Sequence, residues 1–205
     1  MFPLNLPNFL TLLRILAVPV IVVVLLDETP NGDRFAAALF ALAALTDGLD
    51  GYFARSRDSV TTFGKLMDPL ADKLLIVAAL VSLVSLNRLA AWVAMVIIAR
   101  EMAVTGLRAV AAERGIVLAA SSLGKVKTVL QIAAVIALIA KNPSPVWIDV
   151  LVYAAVAVTL ISGAHYFFGM RRLFEEEERG SESRVQPRRV SEVERGSVPP
   201  APERV

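Results

Sequence analysis

The chain of 205 residues contains no cysteine and only one histidine. The absence of cysteine excludes disulfide bonds, thiolate metal ligands and a cysteine nucleophile, so a bound metal must be held by oxygen atoms or by His165. The first eight residues also lack the positive charge that begins a cleavable signal peptide. We therefore expect the apolar run that follows them to remain in the protein as a helix.

Apolar residues dominate the composition instead. They make up 56% of the chain, and the mean hydropathy is +0.63, which is high for a soluble domain. A membrane about 30 Å thick is crossed by about 20 apolar helical residues. Six runs meet this length: residues 4–26, 34–55, 66–86, 89–112, 123–140 and 146–169. The sequence thus predicts an all-α membrane protein with six transmembrane helices.

The last part of the chain has a different composition. From Glu175 to Val205 it is rich in Glu, Arg and Pro and poor in large apolar residues. Such a segment cannot bury enough apolar surface to fold alone. We predict a transmembrane domain over residues 1–172 and a charged, disordered cytoplasmic tail over residues 173–205. Without the tail, the remaining domain is basic, which suits anionic substrates.

The positive residues between the predicted spans indicate the orientation. They are concentrated in and beside the connections that follow the second, fourth and sixth spans. These residues are Arg55, Arg57 and Lys65, then Arg108, Arg114, Lys125 and Lys127, then Arg171 and Arg172. Loops on the cytoplasmic side of a membrane carry this excess of Lys and Arg. We therefore expect a multi-pass protein of the cell membrane with both termini in the cytoplasm.

Four aspartates lie inside these apolar segments, namely Asp47, Asp50, Asp68 and Asp72. A carboxylate at the centre of a bilayer costs on the order of a few kcal/mol, so such residues usually belong to a functional site. Residues three or four apart share one face of a helix, and a short basic loop joins the two helices. The helices are then antiparallel, and both pairs of carboxylates face the same cytoplasmic end.

Four carboxylates this close cannot all be ionised unless cations offset their repulsion. Oxygen ligands without histidine or cysteine indicate Mg²⁺ or Mn²⁺, and two such ions can stabilise the transfer of a phosphoryl group. We predict a polar metal-binding cavity near the cytoplasmic face. A cation carrier or channel would also explain the carboxylates. It would not explain the glycine, alanine and arginine that accompany them.

Those accompanying residues are Gly51, Ala54 and Arg55. The two small residues remove side-chain bulk beside the carboxylates, which lets a substrate approach the backbone. Arg55 adds a planar cation that fits a phosphate oxygen or a base edge. Small residues also permit tight helix packing, and both interpretations apply here.

The complete pattern runs from Asp47-Gly48-Leu49-Asp50-Gly51-Tyr52-Phe53-Ala54-Arg55 through Gly64 and Asp68 to Asp72. It resembles the signature of the CDP-alcohol phosphatidyltransferases, with every fixed position present, and the resemblance covers about the first 172 residues. It implies six membrane helices with a metal site near the cytoplasmic face, membrane lipids as surroundings, and a homodimer. We expect no nucleic-acid partner.

The resemblance also implies roles for particular residues. Asp47, Asp50 and Asp68 hold two metal ions, and Asp72 contacts the second ion and acts as the general base. The residues implied to bind CDP-diacylglycerol are Asn8, Thr11, Gly51, Ala54, Arg55 and Thr61.

Flanking sequences at residues 6–11, 64–73 and 124–128 most resemble the branch of the family that makes phosphatidylglycerophosphate. That branch uses glycerol 3-phosphate as the acceptor and releases CMP. Relatives that make cardiolipin or phosphatidylinositol phosphate share much of these flanks, so other acceptors stay open.

An acceptor that carries a phosphate needs cations close to the metal ions. The candidates on the fourth and fifth helices are Arg100, Arg108, Ser122, Lys125 and Lys127. As an alternative, Arg108, Lys125 and Lys127 only mark the cytoplasmic face or contact anionic lipids. Arg100 could instead neutralise Glu101.

Two further residues have open roles. Arg14 either extends to the cytoplasmic interface or lines the nucleotide cavity. His165 is expected to make a hydrogen bond between helices rather than to bind metal, since the oxygen ligands already suffice.

Overall fold

The computed structural model describes residues 6–27, 29, 31–54, 62–113 and 122–196, and it gives side chains for 9–27, 29, 31–46, 67, 70–113 and 123–171. Within these ranges the chain forms helices and no strands. The helices are α1 (Leu6–Leu26), α2 (Gly32–Ala54), α3 (Thr62–Ser85), α4 (Ala91–Glu113), α5 (Ser122–Ala140) and α6 (Val146–Gly196). The prediction of an all-helical chain is therefore confirmed.

The chain divides into two compact units, Met1–Gly163 and Ala164–Val205. In the second unit, the rings of Phe167 and Phe168 contact edge to face with centroids 5.9 Å apart, and His165 is exposed. The sequence ends the last apolar run at residue 169, whereas α6 extends to Gly196. The sequence predicts a disordered tail from residue 173, whereas the chain is helical there as far as Gly196. A domain boundary at residue 172 and the cytoplasmic location of the tail stay predictions.

In the first unit, α1 packs against α2 and α3, α5 packs against the same two helices, and α4 packs against α3. The largest fully buried side chains include Phe40, Leu80, Leu83, Ile139 and Ile148, which come from four of the helices. Trp92 on α4 stacks on Tyr153 of α6 with ring centroids 6.2 Å apart. Helices α2 and α3, which carry the aspartates, therefore belong to the packed centre of this unit.

The direction of α2 and α3 follows from contacts at their far ends. Helix α3 ends where Asn87 adopts φ 55°, and the Arg88 amide donates to the Leu83 carbonyl at 2.9 Å. The Arg88 guanidinium then pairs with Asp33, in the first turn of α2, at 2.8 Å. Because the end of α3 meets the start of α2, the two helices are antiparallel, as predicted. The aspartate-bearing ends of both helices consequently lie at the same end of the molecule.

The surface of the helices carries many large apolar side chains, and the interior contains several polar ones beside its apolar core. Many large apolar residues are exposed, for example Leu16, Val23, Leu45 and Val129. Several polar ones are buried, namely Thr11, Arg14, Ser82, Lys127, Gln131, Thr159 and Ser162. Exposed apolar side chains in this number are typical of contact with a membrane or a partner, and lipid is the surrounding that fits apolar helices of this length.

Among the described residues, three helices are long and apolar enough to cross a membrane: Phe9–Leu26, Leu123–Ala140 and Val146–Arg171. The remaining helices carry charges within their apolar runs, such as Arg100, Glu101 and Arg108 on α4. These charges lower the average hydropathy of those helices. The chain thus has the helices of a membrane protein, and the other three of the six spans stay a prediction.

Candidate active site

Asp72 on α3 is the one motif aspartate whose side chain the structure describes. Arg14 on α1 donates from Nη1 to Asp72 Oδ1 at 2.6 Å. Arg14 is only 4% exposed, so its charged group points inward and the interpretation that it extends to the interface is wrong. A buried guanidinium is stable where a carboxylate compensates its charge. The pair therefore joins α1 to α3 at the aspartate-bearing end.

The other three aspartates are placed by their backbone alone. Asp47 and Asp50 lie in the last two turns of α2, and Asp68 lies one turn before Asp72 on α3. Among the described side chains, no three carboxylates or histidines come together, but Asp47, Asp50 and Asp68 are outside that set. The convergence of four carboxylates on two ions stays a prediction.

The donor chemistry of these residues fits a hard divalent cation. All four predicted ligands are carboxylates, and the chain has no thiolate to favour a softer metal. The side chain of Asp72 is 39% exposed and lines a cavity, so a cation and its water ligands can reach it. The antiparallel helices bring the ends that carry the other ligands to the same side.

The cavity beside Asp72 has a volume of about 260 Å³ and lies among α2, α3, α4 and α5. Its polar lining consists of Asp72, Lys73, Glu101, Lys127, Thr128 and Gln131, and the rest is aliphatic. The two carboxylates and two ammonium groups have formal charges that cancel. A small polar ligand can therefore be surrounded here by hydrogen-bonding groups and by both signs of charge.

Glu101 is the second carboxylate of the cavity, and two cations hold it. Arg100 donates from Nη1 to Glu101 Oε1 at 3.1 Å, and Lys127 Nζ donates to the same oxygen. Arg100 also donates from Nη2 to Ser162 Oγ at 2.7 Å. A Cβ on neighbouring Gly163 would lie 3.1 Å from Arg100 Cγ, so the absence of a side chain there gives Arg100 room. The network joins α4, α5 and α6.

The predicted acceptor residues fall into different places. Lys127 is buried and lines the cavity, whereas Arg108 and Lys125 are exposed and do not line it. Arg100 neutralises Glu101, as one of the two sequence interpretations states. The side chain of Ser122 lies outside the described set. Of the predicted acceptor residues whose side chains are described, Lys127 is the one that lines the same cavity as Asp72.

The predicted nucleotide-binding residues are described only in part. Thr11 is buried on α1, one turn before Arg14. Asn8 on α1 and Gly51 and Ala54 on α2 are helical, without described side-chain surroundings, and Arg55 and Thr61 lie outside the described residues.

Sequence reasoning missed Lys73, Thr128 and Gln131 as cavity residues and gave Glu101 no part in the site. Gln131 carried a usable signal, because it is the one uncharged amide inside the apolar run of α5. Lys73 directly follows Asp72. From the sequence alone, a position of Lys73 on the cavity wall could not be distinguished from a position at the membrane interface.

Comparisons with known proteins extend these observations. The family model for CDP-alcohol phosphatidyltransferase matches residues 4–161. A CDP-diacylglycerol–glycerol-3-phosphate 3-phosphatidyltransferase of Bacillus subtilis is 46% identical, with the match covering 80% of this chain and 93% of that protein. A protein of the same name from Rickettsia bellii is 37% identical, over 83% and 97% of the two chains.

A probable phosphatidylglycerophosphate synthase of Mycobacterium tuberculosis is 41% identical over 79% of each chain. The region matched by the family model contains the aspartate motif, the helices that carry it and all the residues of the cavity. The resemblance seen in the motif is thus confirmed over most of the chain, and the chain belongs to the CDP-alcohol phosphatidyltransferase family.

Proposed function

We propose that this chain transfers the phosphatidyl group of CDP-diacylglycerol to glycerol 3-phosphate, giving phosphatidylglycerophosphate and CMP. The observation that carries the proposal is that Asp72, the last aspartate of the family motif, lines a cavity together with buried Lys127. The names of the relatives agree with this acceptor. A volume of about 260 Å³ lies just below the range of pockets that hold drug-sized ligands and suits a three-carbon acceptor.

In the reaction we infer, Asp72 takes the proton from the primary hydroxyl of glycerol 3-phosphate. The hydroxyl oxygen attacks the phosphorus that carries diacylglycerol, the bond from that phosphorus to the CMP oxygen breaks, and CMP leaves. Arg14 keeps the Asp72 carboxylate oriented at the cavity wall. Lys73 and Lys127 supply cations for the acceptor phosphate.

Two divalent ions, Mg²⁺ or Mn²⁺, would be held by Asp47, Asp50, Asp68 and Asp72. When bound, they supply positive charge that offsets the pyrophosphate and stabilises the transferred phosphoryl group. The predicted contacts of the nucleotide are Asn8 and Thr11 on α1, together with Gly51, Ala54, Arg55 and Thr61.

The rest of the architecture belongs to the same proposal. The six helices up to residue 172 span the cell membrane, both termini lie in the cytoplasm, and the aspartates face that side. The lysines and arginines around the connections that follow the second and fourth predicted spans, and at the end of the sixth, support this orientation. A homodimer and a separate charged tail are further predictions.

The test is CMP release from CDP-diacylglycerol by the purified full-length protein in detergent, with Mg²⁺ present. The acceptors are glycerol 3-phosphate, inositol phosphate, serine and phosphatidylglycerol. Glycerol 3-phosphate should react fastest by a wide margin, and chelation with EDTA should abolish release. Faster reaction with inositol phosphate or phosphatidylglycerol would favour the corresponding branch of the family. No release with any acceptor would contradict the enzymatic proposal.

A further inference from the structure

Gln131 lines the cavity, yet the reaction described above gives it no task. It lies on α5 one turn beyond Lys127 and is 3% exposed. Among the described residues, no hydrogen bond joins its amide to another group, and its amide atoms are not among the fully enclosed side-chain atoms that lack a partner. The amide thus keeps access to the cavity, where a ligand or water can supply the hydrogen bonds that a polar group requires. The amide is therefore available to a molecule that occupies the cavity.

The chemistry of the amide indicates which part of an acceptor it binds. A phosphate is satisfied by cations, and Lys73 and Lys127 already line the cavity. A glutamine amide is neutral and offers both a donor and an acceptor, which matches a hydroxyl group. Glycerol 3-phosphate has two hydroxyls. The primary one reacts, and the secondary one has no partner in the mechanism.

The placement of the residues fits a ligand that reaches from the base to the amide. Asp72 lines the cavity from α3 and Gln131 lines it from α5, and these two helices pack against each other. Thr128 lies one turn before Gln131 on the same face of α5 and also lines the cavity. Its hydroxyl donates to the Gly124 carbonyl at 3.0 Å, so the oxygen can still accept a hydrogen bond.

We propose that Gln131 binds the secondary hydroxyl of the acceptor and makes the cavity selective for a polyol phosphate over an alkanol phosphate. This inference rests on the proposed function, since it assumes that glycerol 3-phosphate occupies the cavity. Under this proposal, the choice of acceptor depends partly on Gln131, a neutral residue of α5 that lies outside the aspartate motif.

The experiment compares two acceptors that differ by one hydroxyl. Glycerol 3-phosphate is measured against 3-hydroxypropyl phosphate, which keeps the phosphate and the primary hydroxyl but lacks the secondary hydroxyl. The kcat/KM for each acceptor is determined with the full-length wild-type protein and with Gln131→Met, which keeps the length of the side chain. The wild type should prefer glycerol 3-phosphate by about tenfold, as one net hydrogen bond provides. In Gln131→Met this preference should disappear through loss of activity on glycerol 3-phosphate alone.

The ratio of the two kcat/KM values does not depend on how much of the protein is active. Should Gln131→Met not yield folded protein, Gln131→Leu provides the same test. Val129→Met is the matched control, because Val129 lies on the same helix but is 67% exposed on its outer face, and it should keep the wild-type ratio. An unchanged ratio in the Gln131 variants, with an active wild type, would overturn the role of Gln131 alone. A wild type that releases no CMP would overturn the proposed function itself.

Discussion

Two carboxylates line the same cavity and face different surroundings. Asp72 forms an ion pair with Arg14, and the side chain of Asp72 is 39% exposed. Glu101 is 19% exposed and accepts from both Arg100 and Lys127. A carboxylate enclosed between two cations contributes to the architecture, whereas one that keeps an open side can meet a metal ion or a substrate hydroxyl. The two carboxylates thus differ in exposure and in the number of cations that hold them, and the roles proposed for them follow from this difference.

The largest expected effect is on turnover in Asp72→Asn. The amide cannot take a proton from the acceptor, and loss of a general base costs about 10²- to 10⁴-fold in rate. CMP release should therefore nearly vanish, while size-exclusion chromatography in detergent shows a folded protein. Substantial residual turnover would remove Asp72 from the role of base and would weaken the contrast with Glu101.

Glu101→Gln should act on stability instead. It leaves the charges of partly buried Arg100 and buried Lys127 uncompensated, and removal of one partner of a fully buried pair typically costs about 3–5 kcal/mol, so the loss here should be at or below that range. The midpoint of thermal unfolding in detergent should fall markedly. The double variant with Lys127→Met should recover part of the loss, because it removes one of the two unpaired charges. A single variant as stable as the wild type would contradict the architectural role.

Arg14 offers a test of orientation at Asp72. Arg14→Lys keeps a positive charge but loses the planar fork, and a shift of about 1 Å at a catalytic group can cost about 10²-fold. We expect kcat to fall by about ten- to a hundredfold with little change in the KM for glycerol 3-phosphate. A raised KM with unchanged kcat would instead assign Arg14 to binding the acceptor.

The smallest effect is expected for Lys125→Ala. Lys125 is exposed and does not line the cavity, and exposed charges are screened by salt. The acceptor KM should rise by no more than about two- to threefold at low ionic strength, and the increase should disappear in high salt. A rise of tenfold or more would bring Lys125 into the phosphate site that the sequence predicts for it.

The helices were largely predictable because hydropathy is a local property. The predicted runs 4–26 and 123–140 nearly coincide with α1 (Leu6–Leu26) and α5 (Ser122–Ala140). The end of α6 was not predictable from hydropathy, since Glu and Arg lower it and yet are good helix formers. Hydropathy is also less informative for helices α2, α3 and α4, because the charged residues that they carry lower the average by which a membrane span is recognised.

The sequence by itself determined the family, the aspartate motif and the antiparallel direction of α2 and α3, because spacing along a helix and the length of a loop are local constraints. Only the tertiary structure decided that Arg14 meets Asp72, that Glu101 lies between two cations, and that Lys127 and Gln131 share a cavity with Asp72. These pairings join residues on different helices. Which faces of those helices meet depends on the packing of the whole unit, and no single segment contains that information.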